Sequence, residues 1–312
     1  SKMTITNSPL SFNQEAFEYS FHVSYNVILG CPRSGTTFLL NSLKALPYCE
    51  AISGHLLPIA LPHIINQDLP PDVYTTIVNS FEFSLQDFLE SISKSRFNAL
   101  HKWLSNSMGT KELYKSLRRR RMIERIIYKE PFLSFAPEFT YNALPNCRII
   151  HIYRDGRDCA DSLIRKYNVL TDEKLMTLKT AEMPLGRKYD HRYVPWWVEE
   201  GLEEEFLKAT PYVRAIWMWK TMVRYCYDFF SLPEVTASKQ VMLVKYEDLV
   251  KDPLKWGEAI VEHFGCQMND RLSQQFKKAK TSSIGIHKKR DIKEIKVAEK
   301  VAETELKLYG YL

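Results

Sequence analysis

Four short apolar runs punctuate the chain, each bounded by turn residues. They are Tyr25-Asn26-Val27-Ile28-Leu29, Ile126-Ile127-Tyr128-Lys129, Cys147-Arg148-Ile149-Ile150-His151-Ile152-Tyr153 and Val241-Met242-Leu243-Val244. Each has the length and the branched or aromatic content of a buried strand. Helical spacing fills much of the chain between them: Thr37 to Leu43, most of residues 56–125, Asp161 to Ile164, and a long amphipathic stretch from Pro211 to Phe230. Strands alternating with helices predict an α/β fold, with a central, mostly parallel sheet flanked by helices. Residues 1–22 show no strong period and are expected to form an extended lead-in. Between about 167 and 212 aromatic and charged residues dominate and periodicity fades, which predicts an irregular insertion. The segment from Asp291 to Leu308 reads as charged, helical and exposed. The chain shows no internal repeat, and one domain over 1–312 is expected.

Composition changes this picture little. Hydrophobic residues make up 45% and charged residues 26%, as in ordinary globular proteins. The net charge of +6, from 43 Lys and Arg against 37 Asp and Glu, suits a small anionic ligand better than a nucleic acid. The run Arg118 to Arg121 would be spread around a helix and reads as a solvated face. Six cysteines stand without metal or redox spacing, and no Asn-x-Ser/Thr site occurs. Both features point to a reducing, cytoplasmic setting. No apolar run reaches the roughly 18 residues that cross a bilayer, and Ser1-Lys2-Met3-Thr4 lacks the apolar stretch of a signal peptide. No membrane or nucleic-acid partner is expected.

The candidate chemistry lies in Gly30-Cys31-Pro32-Arg33-Ser34-Gly35-Thr36-Thr37, between the first strand and its helix. Two glycines five apart let the backbone curl so that successive N–H groups face an anion, and the helix N-terminus adds positive potential. A loop that cleaves nucleoside triphosphates carries lysine after the second glycine, where this chain has Thr36. Its magnesium-binding aspartate would end the third strand, which here ends in Arg154. The positive charge comes instead from Arg33 within the loop. These departures suit a less charged anion that needs no metal.

At these residues the chain resembles sulfotransferases that use 3′-phosphoadenosine 5′-phosphosulfate (PAPS). Pro32 to Thr37 resembles their 5′-phosphosulfate loop, in the arginine-containing form of bacterial and tyrosylprotein sulfotransferases. Arg154 with Ser162 eight residues later resembles the pair that holds the 3′-phosphate. Lys129-Glu130-Pro131-Phe132 resembles the segment whose lysine faces the bridging oxygen, and Lys245-Tyr246-Glu247-Asp248-Leu249 a mainly structural one. Ser282-Ser283-Ile284-Gly285-Ile286-His287-Lys288 resembles the loop that closes over the nucleotide. The resemblance runs from about residue 25 to 312 and leaves 167–212 unmatched. It implies a nucleotide site formed by Arg33, Ser34, Gly35, Thr36, Thr37, Arg154, Ser162, Ser283 and Lys288.

The reaction this implies is direct in-line transfer without a covalent enzyme intermediate. Charge builds on the leaving phosphate oxygen, where Lys129 is the candidate cation and Arg33 holds the 5′-phosphate. A base must take the acceptor's proton. His55 is the candidate, as the titratable side chain in Ile52-Ser53-Gly54-His55-Leu56, with Glu50 and His63 as alternatives. Tyr189, His191, Tyr193, Trp196 and Trp197, followed by Glu199 to Glu205, could line a pocket for a cationic or planar acceptor. They also fit an aromatic hinge before an exposed acidic helix, which is the expected case. A small hydroxyl- or amine-bearing molecule is the expected acceptor and a peptidyl tyrosine the alternative. A P-loop kinase and a non-catalytic nucleotide-binding protein are the competing classes.

Overall fold

The computed structural model describes residues 23–54, 59–92, 96–118 and 123–312. Its strands are β1 (Ser24–Leu29), β2 (Cys49–Ser53), β3 (Arg125–Lys129), β4 (Arg148–Tyr153), the short pair β5 (Gly186–Tyr189) and β6 (Arg192–Pro195), and β7 (Val241–Lys245). Five of them form one parallel sheet in the order β2-β3-β1-β4-β7. β1 is central: Val27 lies opposite Tyr128 of β3 and Ile149 of β4. Ser53 is in register with Lys129, and Lys129 with Ile28. The carboxyl ends of the inner strands therefore open onto one edge, where ligands of open α/β sheets bind.

Helices cover both faces, so the inner strands are apolar on both sides. The helix Thr36–Leu43 packs Leu39, Leu40 and Leu43 with Ile28 and Ile150, joined by Ile260 and Phe276 from later helices. On the opposite face Val27, Leu29, Tyr128 and Ile149 meet Phe81, Phe139 and Phe230. The helix Pro211–Phe230 buries Trp217, Trp219, Met222 and Val223 in a third cluster. Thr210 caps that helix through its hydroxyl and Pro211 opens it.

The four expected strands and the Pro211–Phe230 helix are present. β2, an edge strand, opens on Cys49 and Glu50 rather than on an apolar run, and the buried Glu50 pairs with Lys102 at 2.7 Å. The 167–212 region is more ordered than its fading period suggests, with the helices Asp172–Met176 and Glu203–Lys208 around the antiparallel β5–β6 hairpin. The C-terminal segment forms the helices Ile292–Val301 and Glu303–Leu308, and it is not wholly exposed. Ile295, Ala298, Ala302 and Leu306 are buried, and the last three join the cluster of the Pro211–Phe230 helix. Residues 1–22 and Arg119 to Arg121 lie outside the described residues. No helix among the described residues is long and apolar enough to cross a membrane.

One polar side chain sits oddly in this core. His151 of β4 is fully buried, ringed by Tyr153, Phe230 and Tyr309, with neither ring nitrogen hydrogen-bonded. Burial alone drives its pKa down to about 3, so the ring is neutral.

Candidate active site

The turn after β1 needs both of its glycines. A Cβ on Gly30 would stand 2.4 Å from the Ile152 carbonyl oxygen, and one on Gly35 2.6 Å from the Tyr246 ring. Gly35 also adopts φ 97°, open to glycine but strained for other residues. Arg33 itself has φ 73°, which turns its side chain across the loop. The Gly30 N–H donates to Ser134 Oγ at 2.9 Å and anchors the loop to the segment after β3. Ser34 is fully buried, its Oγ 3.3 Å from Cys159 Sγ and its N–H donating to the Cys31 carbonyl. Ser34 thus props the loop from behind, while Arg33, Gly35, Thr36 and Thr37 face the cleft.

That cleft, of about 530 Å³, gathers residues from four distant stretches. Arg33 Nε donates to Ser162 Oγ at 2.8 Å. Arg154 donates to the Arg33 carbonyl and to the Ser283 carbonyl, each at 2.9 Å, and lies 4.7 Å over the Tyr246 ring. Its Nε is buried without a partner. Tyr246 Oη and Ser283 Oγ are 3.0 Å apart. Arg33, Arg154, Arg165 and Lys166 line the cleft and no acidic residue does, among the described residues. Arg165 is paired with Asp161 at 2.6 Å and the exposed Lys166 lies 5.4 Å over the Tyr167 ring, which leaves Arg33 and Arg154 as the central cations. A cation-lined pocket without acids is what an oxyanion would complete. Phe38 and Tyr246 add aromatic walls that the motif reading did not single out. Phe38 directly follows Thr37, so the signal was one residue past the motif.

The loop bearing Ser283 is pinned from beneath. Asp158 accepts the N–H groups of Gly285 and His287 and lies 2.6 Å from His287 Nδ1. Burial pushes the Asp158 pKa up, but the His287 side chain and these two N–H groups outweigh it and hold it below the usual carboxylate value. Asp155, Asp158 and His287 approach one another closely enough to hold a cation. Here they act as hydrogen-bond partners, Asp155 accepting from the Arg157 N–H and guanidinium. Lys288 is exposed and does not line the cleft.

A second cavity, of about 630 Å³, adjoins the first and shares Arg33, Thr36 and Thr37 with it. Its walls are largely apolar and aromatic, with Phe132, Phe135, Tyr167, Leu170, Trp196 and Trp197 among them. Lys129 enters at the carboxyl end of β3 and donates to Thr37 Oγ1 at 3.2 Å. Partial burial lowers its pKa from the ordinary 10.5, against the opposing charges of Glu130 and Tyr167. Ser53 and Gly54 line the same cavity. His55, which follows them, lies outside the described residues.

Neither alternative base is placed for the task. Glu50 points into a separate pocket, bound to Lys102. His63 stacks on Trp196 at 5.2 Å and its Nδ1 lies 2.7 Å from the Pro184 carbonyl, which can only accept. That fixes the proton on Nδ1 and leaves Nε2 to accept from Gln67 at 3.1 Å. Of the aromatic–acidic insertion, Trp196 and Trp197 reach the cavity and Tyr189, His191 and Tyr193 do not. Three of the acids are tied to structure: Glu199 accepts from Trp217 Nε1, Glu203 pairs with Arg187 and Glu204 with Arg192.

Comparison with known proteins places this geometry. The chain resembles in fold the sulfotransferase domain of the Synechococcus PCC 7002 olefin synthase, at 16% identity over 89% of this chain and 94% of that one, with a TM-score of 0.45. Sulfotransferase STF9 from Mycobacterium avium matches at 13% identity, 95% and 79% coverage and a TM-score of 0.46. Mouse sulfotransferase SULT7A1 complexed with PAP matches at 14%, 91% and 75%, with a TM-score of 0.39. No curated protein sequence matches the chain. The model of the sulfotransferase family matches residues 27–270, from β1 to the helices beyond β7, and the chain belongs to that family.

Proposed function

We propose that the chain transfers the sulfuryl group of PAPS to a hydroxyl or amine of a small-molecule acceptor, releasing 3′-phosphoadenosine 5′-phosphate (PAP). The observation that carries this reading is the shared wall: a cation-lined, acid-free cleft and an apolar cavity meet across Arg33, Thr36 and Thr37. An anionic donor on one side and a less polar acceptor on the other would then face each other over Lys129.

Arg33, Gly35, Thr36 and Thr37 would hold the 5′-phosphate, and Arg154, Ser162 and Ser283 the 3′-phosphate. The orphaned Nε of Arg154 fits that load. Ser34 would serve by supporting the loop, and Lys288, on the surface, could reach a phosphate only through its long side chain. In the transfer, the acceptor oxygen or nitrogen forms a bond to sulfur as the bond from sulfur to the bridging oxygen breaks. The electron pair stays on that phosphate oxygen, next to the Lys129 ammonium, and a base takes the acceptor's proton. His55, the titratable side chain of Ile52-Ser53-Gly54-His55-Leu56, keeps the role of base in this reading. The reading also takes 1–312 as one domain acting in the cytoplasm.

Calorimetry with PAP, beside ATP with magnesium, tests the donor. PAP should bind tightly, and Arg154→Ala should weaken it by about a hundredfold or more, as expected for charge-assisted contacts in a partly buried site. A preference for magnesium ATP would overturn the reading in favour of a kinase. PAP binding without turnover of any acceptor in Lys129→Met and wild type alike would favour a non-catalytic nucleotide-binding protein.

A further inference from the structure

The apolar cavity has an outer wall built almost wholly from one excursion of the chain. Between the helices Gly156–Tyr167 and Pro211–Phe230, the chain leaves the sheet, contributes Val169, Leu170, Leu178, Leu185, Trp196 and Trp197 to the cavity, and returns. An excursion this long needs a fastening at its root. Arg214, in the first turn of the returning helix, supplies one. It is 1% exposed.

Its guanidinium reaches both ends of the excursion at once. Nη1 donates to the Leu170 carbonyl at 2.8 Å and Nη2 to Asp172 Oδ1 at 2.8 Å, at the outgoing end. Nε donates to the Phe206 carbonyl at 3.1 Å and Nη2 to the Leu207 carbonyl at 2.6 Å, at the returning end. Phe206 also lies beneath the guanidinium, 5.6 Å from ring centroid to charge. Leu170, the cavity residue so held, has φ 58°, a strained value for leucine that must be stabilised by its surroundings. The single carboxylate in the set, Asp172, is 84% exposed, so no buried acid neutralises the charge. Burying a guanidinium this way costs more than an apolar side chain of like size would. What it supplies is a planar fork that fixes several carbonyls in one geometry.

We propose that Arg214 is a positioning residue for the acceptor: by clasping Leu170 to Phe206 and Leu207 it sets the shape of the cavity's outer wall. The proposal rests on the reading of that cavity as the acceptor side. Arg214 touches neither the cation-lined cleft nor Lys129, so its effect should be confined to acceptor binding.

The test uses the full chain and two probes. PAP, by calorimetry, reports the donor cleft; 8-anilinonaphthalene-1-sulfonate, by fluorescence titration, reports the apolar cavity, being an aromatic ring system that carries a sulfonate. Arg214→Met should weaken the dye by about tenfold, the scale of a lost hydrogen-bonded wall segment, and leave PAP affinity within about twofold. Arg214→Lys, which keeps the charge but not the fork, should recover part of the dye affinity. Amide exchange should speed up across 169–178 in Arg214→Met. Should that variant fail to fold, Asp172→Ala, which drops one solvent-facing partner, should still shift dye binding and exchange in the same direction with PAP untouched. The proposal is overturned by folded variants whose dye affinity and exchange match wild type. It is equally overturned if dye and PAP weaken together, or if wild type does not take up the dye at all. Loss of PAP binding by wild type with the dye result intact would instead strike the sulfotransferase reading.

Discussion

Single side chains in this molecule are set by what surrounds them more than by their type. Lys129 is a strand-end lysine whose partial burial lowers its pKa from 10.5. If its ammonium stabilises the leaving oxygen, activity should fall as pH rises through that lowered value, so the alkaline limb of kcat/KM comes earlier than an ordinary lysine would give. Lys129→Met should cost about 10²–10³-fold in kcat, the usual scale for removing one stabiliser of developing negative charge, while PAP affinity changes little. His151 makes the complementary point about stability. Its folded pKa of about 3 lies far below the ordinary 6.5, so the unfolded chain binds the extra proton first. Stability from this residue is intact above about pH 6.5 and is lost as pH falls from there toward 3. His151→Leu should flatten that slope in chemical denaturation followed across the same range; an unchanged slope would place the pH dependence elsewhere.

At the scale of elements, the late loop is held chiefly by the helix after β4 and by Arg154 and Tyr246. The first turn of Gly156–Tyr167 presents Asp158 to Gly285 and His287, and the loop in turn offers the Ser283 carbonyl to Arg154. Asp158→Asn would replace one acceptor oxygen with a donor facing an N–H group, at about 1–3 kcal/mol for the buried mismatch. Thermal denaturation should register that loss, and PAP affinity should fall with it. This coupling is not legible in the sequence, because 127 residues separate Asp158 from Gly285. What could be read were the elements with one dominant local cause: the four apolar strands, the two-glycine loop, and the amphipathic helix from Pro211. β2 escaped because it opens on Cys49 and Glu50 rather than an apolar run, and the β5–β6 hairpin because its turn, at Asp190 with φ 54°, carries no glycine. The burial of Ser34 behind the loop was hidden for a related reason. A motif gives residue order, whereas the 73° φ of Arg33 decides which neighbours turn outward.

The whole molecule is arranged about the helix Pro211–Phe230, which underlies both cavities. Three consecutive residues serve three places: Trp217 Nε1 holds Glu199 beneath the insertion, Met218 lines the apolar cavity, and Trp219 Nε1 donates to the Arg154 carbonyl. Trp219 also fills the space beside Gly156, where an added Cβ would stand 2.4 Å from its ring. Gly156→Ala should therefore destabilise the fold by about 1–3 kcal/mol through overpacking, read as a lowered denaturant midpoint, and should disturb the cation-lined cleft before the apolar one. Site residues from distant stretches meet here, from the loop after β1, the helix that follows β4, the end of β7 and the late loop.

The wall common to the two cavities also has a kinetic consequence. Arg33, Thr36 and Thr37 are fixed by β1 and its helix, so neither chamber has to be emptied before the other is filled. If the transfer is direct, as proposed, both reactants are aboard before either product departs. Initial rates measured against one reactant at several fixed levels of the other should give double-reciprocal lines that intersect. Parallel lines would mean that the enzyme itself carries the group between two half-reactions.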